Sequence, residues 1–275
     1  MIAPATSTPN AVAQALTDRD YVSFSAISTY RSCPLKYRFK YIERLPEQTV
    51  SSSLVFGRAI HAAAEHHFNE LLAGASLPSQ AALLEAFWEA WRCAAEEGVI
   101  QFSKGEDLIG IQQLAERMLT AFRDSALAQP EGRVIAVEEE LRGCLVPGVP
   151  DLLARIDLLI ETSDSLVIRD FKTSRNRWAE GQAESQAEQL LLYSELAREL
   201  LPGKSLRLEY AVFSKTKTPS IERHPVLHDP YRIARTKRVI ERVWHAIKSE
   251  VFYPAPSAMN CPSCAYRSEC ATWQG

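Results

Sequence analysis

Two short segments constrain this chain more than any others: Arg155-Ile156-Asp157 and, after a polar turn, Ile168-Arg169-Asp170-Phe171-Lys172-Thr173. The span Leu152 to Glu161 and the span Leu166 to Thr173 are rich in β-branched and apolar residues, and Thr162-Ser163-Asp164-Ser165 between them has the composition of a hairpin turn. Side chains alternate between faces along a strand, so Asp170 and Lys172 must share a face while Phe171 points into the core behind them. Folding the hairpin brings Asp157 beside Asp170. Two carboxylates so placed make a candidate site for a hard cation.

Paired carboxylates suit a hard divalent cation such as magnesium. Two acids and a backbone carbonyl leave coordination positions for waters and a phosphate oxygen. The lysine can orient an attacking water or offset charge on the phosphorus. Alone, an Asp-x-Lys sequence is more often a surface ion pair, so the weight falls on the residues that accompany it.

Those residues fall into a pattern. Gly57-Arg58-Ala59-Ile60-His61 lies in a stretch with helical spacing, and Gln189-Leu190-Leu191-Leu192-Tyr193 lies in another just after the second strand. Together with Asp157 and Asp170-Phe171-Lys172-Thr173, these segments resemble the PD-(D/E)XK nuclease superfamily, specifically its RecB-like branch. That branch includes nuclease domains of recombination helicase-nucleases and CRISPR-associated spacer-acquisition nucleases. The resemblance runs from Ser25 to Cys270. It implies that His61, Asp157, Asp170 and the Phe171 carbonyl hold magnesium or manganese, that Lys172 is catalytic, and that Gln189 and Tyr193 turn toward the active site. The branch usually has glycine where Ala154 stands here. Asp151, in a literal Pro150-Asp151, competes with Asp157; the thirteen positions from Asp157 to Asp170 suit adjacent strands better.

Cysteine placement is the second signal. Cys261-Pro262-Ser263-Cys264 and Cys270 form a compact C-terminal trio, with Cys33-Pro34 far upstream. Four thiolates so spaced suit zinc or an iron-sulfur cluster, and spacing does not separate the two. The resemblance implies a 4Fe-4S cluster on Cys33, Cys261, Cys264 and Cys270, stapling the ends of the domain. Cys93 and Cys144 fall outside the pattern and read as buried thiols. A zinc site on His61, Glu65, His66 and His67 lacks a further ligand nearby in sequence. Nothing in Met1 to Leu16 reads as a secretion signal, and no apolar run reaches membrane-spanning length, so a cytoplasmic protein with reduced thiols is expected.

The 275 residues carry a net charge of -3, but unevenly. Residues Tyr21 to Arg44 hold five Lys/Arg against one acid and Leu200 to Ser249 eleven against four, whereas Glu65 to Glu140 hold five against fourteen. Basic ends and an acidic middle suit a surface that attracts phosphate on one side.

The expected fold is α/β, a restriction-endonuclease-like core with a mixed central sheet flanked by helices, an N-terminal helical insertion and a C-terminal cysteine cluster. Residues 1–20 are expected to be loosely ordered and 21–275 to form one domain: a helical part to 130, a catalytic core at 131–228, then a helix and the cysteine staple. Helices are expected at Ser25–Tyr30, Leu35–Tyr41, Leu54–Leu72, Gln80–Glu97, Asp107–Ala128, Glu184–Leu200 and Tyr231–Glu250. The implied activity is metal-dependent hydrolysis of DNA, from ends or in single strands, in repair, recombination or spacer acquisition. A helicase or integrase is the implied partner; no Gly-x-x-x-x-Gly-Lys-Ser/Thr loop is present, so any unwinding is expected to come from another chain. Two other classes fit the cysteines: a DNA-end-binding module without cleavage, and a zinc-stabilised RNA-binding protein.

Overall fold

The computed structural model describes residues 8–200 and 202–275. Its centre is a six-stranded mixed sheet in the order β1 (Tyr21–Ser23), β5 (Asp151–Glu161), β6 (Ser165–Ser174), β7 (Ser205–Ser214), β8 (Ser220–Val226), with β4 (Arg133–Gly143) also paired to β5. The hairpin forms as its sequence predicts. Strands β5 and β6 are antiparallel, with Leu158 opposite Arg169 and Leu159 opposite Ile168. The Thr162 N–H donates to the Ser165 carbonyl at 2.9 Å to close the turn. Strands β6 and β7 are parallel over their whole length, which requires the intervening crossover helices.

The described chain divides into two compact units. Among the described residues, the first comprises 8–47, Glu140–Ala154 and Pro230–Gly275; the second comprises Gln48–Glu139, 155–200 and 202–229. In the second unit, α4 (Ser52–Leu72), α5 (Gln80–Glu97) and α6 (Leu108–Arg123) pack with the sheet around Phe56, Phe68, Phe87, Phe122, Phe171 and Phe213, all essentially buried. The alternation of β6 explains the arrangement. Phe171 stacks on Phe68 and meets Phe213 edge-on, while Asp170 and Lys172 point to the face where α8 (Glu188–Ala197) lies.

One buried charge pair fixes the β6–β7 register from within. Arg169 and Glu209 sit at the same level of the ladder, 5% and 4% exposed, and Arg169 Nε donates to Glu209 Oε1 at 2.7 Å. Arg169 also donates to the Leu127 carbonyl, so the guanidinium keeps hydrogen bonds in place of lost water.

In the first unit, β1 runs parallel to the start of β5 and pairs Tyr21 with Asp151. The unit also holds α2 (Phe24–Ser32), α3 (Pro34–Tyr37), a π-helical turn at Arg38–Ile42, the long α9 (Pro230–Lys248) and the short α10 (Arg267–Thr272).

Several elements depart from the sequence reading. Helix α1 (Pro9–Thr17) forms within the segment expected to be loose. Thr8 caps it by accepting from the Ala11 N–H, and Ala13 is buried. Residues 1–7 lie outside the described part. Helix α2 begins at Phe24, before the expected Ser25, and Ser23 caps it by accepting from the Ala26 N–H. The helix expected over Glu184–Leu200 is two, α7 (Gln182–Gln186) and α8, and the Gln186 carbonyl accepts instead from the Tyr210 hydroxyl at 2.9 Å. The three-residue strands β2 (Thr49–Ser51) and β3 (Val99–Gln101) form a separate parallel pair too short to announce itself in sequence. Cys93 and Cys144 are exposed, not buried: on α5, Trp91 and Ala94 turn inward and Cys93 between them turns out. Among the described residues, no helix is long and apolar enough to cross a membrane.

Candidate active site

Helix α4 approaches strand β6 closely enough that residue size matters. A Cβ added at Gly57 would lie 3.0 Å from the Thr173 hydroxyl, so glycine lets helix and strand meet. One turn further along α4, His61 reaches the sheet. Its Nδ1 lies 3.6 Å from Asp157 Oδ2, and its ring meets Phe171 edge-on at 5.9 Å.

The register that pairs Leu158 with Arg169 brings Asp157 level with Asp170. The Phe171 N–H donates to Asp157 Oδ2 at 2.6 Å. On β6, Lys172 Nζ lies 2.6 Å from Asp170 Oδ2 and donates to Gln189 Oε1 at 3.4 Å. Lys172 and Asp170 thus form an ion pair in which the Asp170 carboxylate is almost fully buried. Gln189 Nε2 in turn donates to the Tyr193 hydroxyl at 3.1 Å. Every residue that the resemblance brought forward for catalysis or divalent-metal binding therefore lies in the second unit, gathered where α4, β5, β6 and α8 converge.

Burial and like charge set the electrostatics. Burial raises the Asp157 carboxyl well above its ordinary range, and the nearby Asp170 and Glu138 charges push the same way. Burial lowers the His61 imidazole, so it is neutral near pH 7 with a lone pair to give. Burial pushes the Tyr193 phenol up to about 12, which keeps its proton in place.

Glu138 is the residue that the sequence reading missed. Donor atoms of His61, Glu138 and Asp157 lie within 4.8 Å of one another, a group of the size that holds one cation. Glu138 has a left-handed backbone, φ 51°, which is unusual for a non-glycine residue within a strand. The sequence holds three consecutive glutamates at 138–140, and nothing in their spacing distinguishes the one that a kink turns toward His61. An imidazole, carboxylates and a nearby backbone carbonyl suit a hard or borderline divalent ion.

Asp151 has a different occupation. In the first unit its Oδ2 accepts from Asn10 at 3.0 Å and from Arg142 at 3.2 Å, and its own N–H donates to Asn10 Oδ1. These contacts tie α1 to the start of β5. The zinc alternative on α4 also lacks support: His67 is buried and bonds the Ala128 carbonyl through Nε2 at 2.8 Å.

In the first unit, Cys33, Cys261, Cys264 and Cys270 line one cavity of about 250 Å³. Cys33 ends α2, and Pro34 begins α3 directly after it. Cys264 and Cys270 pack with buried Leu35, Phe39 and Tyr266, and the Ser257 N–H donates to Cys261 Sγ at 3.2 Å. Burial raises the Cys270 thiol, and the other three sulfurs act in the same direction, as expected of four thiols drawn together.

The sequence profile of the PD-(D/E)XK nuclease superfamily matches residues 21–271. The chain belongs to that superfamily. The nuclease also shares its fold with a crystal structure of a candidate exonuclease from Eubacterium rectale, at TM-score 0.55 and 15% identity, covering 90% of this chain and 87% of the other. A second solved structure, SSO0001, covers 91% of this chain and 96% of its own at 14% identity, but its TM-score of 0.36 is too low to carry any argument. Comparison with curated proteins finds no match. Nucleases of this superfamily use divalent metals, and the acidic group around Asp157 fits that requirement.

This geometry predicts how metal binding responds to pH. A cation needs Asp157 ionised and His61 neutral, and protons compete at both. Because the Asp157 pKa is raised, manganese affinity measured by calorimetry on metal-free protein should climb from mildly acidic to neutral pH, with proton release. Glu138→Gln should weaken manganese binding by about tenfold, the lower end of the range for residues that support a metal site. Affinity independent of pH, or unchanged in Glu138→Gln, would contradict this picture of the site.

Proposed function

We propose that the protein is a metal-dependent deoxyribonuclease that hydrolyses phosphodiester bonds at DNA ends or in single strands. The observation that carries the reading is the gathering of His61, Asp157 and Asp170 beside Lys172 on one hairpin and the helix over it. His61, Asp157, Asp170 and the Phe171 carbonyl hold magnesium or manganese, and Glu138 adds a further carboxylate. When bound, such an ion offsets charge on the phosphate and lowers the pKa of a water.

The remaining work falls to the chain's own side chains. Lys172, a cation held between the Asp170 carboxylate and the Gln189 amide, orients the attacking water and offsets charge as it develops on phosphorus. Tyr193 fixes the amide of Gln189 and thereby the position of the ammonium. The buried, like-charged acids resist ionising together without a cation. The residues are therefore poised to bind one.

In the same reading, Cys33, Cys261, Cys264 and Cys270 hold a 4Fe-4S cluster, supported by their shared cavity and by the family resemblance. The cluster ties the N-terminal helices to the C-terminal segment. The reaction belongs in the cytoplasm, where thiols stay reduced, with a helicase or integrase as partner; any unwinding comes from another chain.

Two expectations follow for purified protein. Asp170→Ala, Lys172→Ala and Asp157→Ala should each reduce DNA cleavage by several orders of magnitude while binding persists, whereas Asp151→Ala should cut normally and lose thermal stability. Turnover like the wild type in any of the first three would sink the assignment. Anaerobically prepared protein should be brown, because thiolate-to-iron charge transfer absorbs visible light and filled-shell zinc does not. Serine at any of the four cysteines should remove the colour, and elemental analysis finding stoichiometric zinc without iron would refute the cluster.

A further inference from the structure

Helix α9 buries Ile233, Ile240, Val243, Trp244 and Ile247 along one side. Its opposite side presents Arg235, Arg238 and Arg242, all exposed. Spacings of three and four residues stack these arginines along the helix at steps of roughly 4.5–6 Å, from a rise of 1.5 Å per residue. Among the described residues, none of the three makes an ion pair or side-chain hydrogen bond. Catalysis makes no use of this row, and a helix needs no such row to fold.

At its C-terminal end the row meets a cavity. About 290 Å³ of space lies between α9 and the turn Pro147-Gly148-Val149, lined by Arg242, His245 and Lys248, with Glu241 the one acid in its wall. Trp244 also lines it. Its side chain is 1% exposed and its Nε1–H has no hydrogen-bond partner. Three basic side chains, Arg242, His245 and Lys248, around one cavity are complementary to a small anionic oxygen group. A continuing row of arginines extends that complementarity to a chain of such groups.

We propose that this side of α9 is a nucleic-acid contact distinct from the metal-binding residues: Arg235, Arg238 and Arg242 follow the phosphates of one strand, and the cavity lined by Arg242, His245 and Lys248 receives a phosphate oxygen. The inference rests on the reading that DNA is the substrate, and it identifies a second surface that holds the strand. Guanidinium groups suit the role because each offers several donors in a plane that matches phosphate oxygens. Phosphate contacts of this kind position a strand without reading its sequence.

The test uses full-length, cluster-containing protein carrying Asp170→Ala so that bound DNA stays intact. Binding to a labelled short single strand and to the matching duplex is measured by fluorescence anisotropy over a series of salt concentrations. Changing Arg235, Arg238 and Arg242 together to Gln should lower single-strand affinity at least tenfold at low salt. It should also reduce the slope of log affinity against log salt by about 2, from roughly 0.7 per lost phosphate contact. The same three positions changed to Lys should keep most of the slope. Arg238→Gln alone, the variant least able to disturb folding, should reduce it by about 0.7. Changing His245 and Lys248 together to Gln should reduce it further.

Gln variants with the parent's affinity and slope would overturn the inference while leaving the nuclease reading in place, provided that the Asp170-intact protein cleaves. If the parent binds no DNA and the intact protein cleaves none, both fall together. A slope lost equally in the Lys variant would mean that packing, not charge, is at work, and would also overturn the inference. So would a row of arginines indifferent to DNA that captures an acidic protein.

Discussion

The Phe171 amide donates to the Asp157 carboxylate, and this one bond holds the candidate active site on both sides. It ties β5 to β6 where their carboxylates come level. It does so from a residue whose ring is anchored among Phe68, Phe213 and His61, so the site's position is inherited from the core. Phe171 thus couples packing to electrostatics: its ring belongs to one face of the sheet and its amide to the chemistry. Gly57 serves the same end from the helix side, since a larger residue would press on Thr173 and shift the segment that carries His61.

Crowding several acids into a buried site has a cost that structure alone does not remove. Asp157 is pushed toward its protonated form by burial and by Asp170, and the nearest lysine is committed to Asp170. A divalent cation resolves this conflict by supplying the missing positive charge. Metal binding and proton release are therefore linked. The Arg169–Glu209 pair behaves differently. Its charges are matched within the protein and hydrogen-bonded, so it fixes register and asks for no ligand.

Much of this was legible in the sequence, for physical reasons. Strand alternation separates Asp170 and Lys172 from Phe171, and a four-residue polar turn fixes the hairpin register, so the core of the site follows from local pattern. What stayed hidden depends on long-range geometry. Glu138 is one of three consecutive glutamates, and only a left-handed kink within β4 distinguishes it. The helix at Pro9–Thr17 lacked a strong apolar stripe and gains its place through Asn10 bonding Asp151, a contact 141 residues distant in sequence. That same contact explains why Pro150-Asp151 resembles a catalytic pair without being placed like one. The basic stretch from Leu200 to Ser249 was visible as composition, but only the helix shows that three of its arginines fall in one row.

The chain thus concentrates its proposed chemistry in one unit and its cysteine cluster and basic helix in the other, with β4 and β5 running through both. The central claim is that the residues around Asp157 and Asp170 cut DNA with a divalent metal. It is tested most directly by incubating anaerobically purified protein with end-labelled single- and double-stranded DNA in magnesium, in manganese and in chelator. Cleavage should appear with either metal, be lost in chelator and return when metal is added back. Cleavage that persists in chelator, or its absence from both substrates with both metals in folded, cluster-containing protein, would contradict the account.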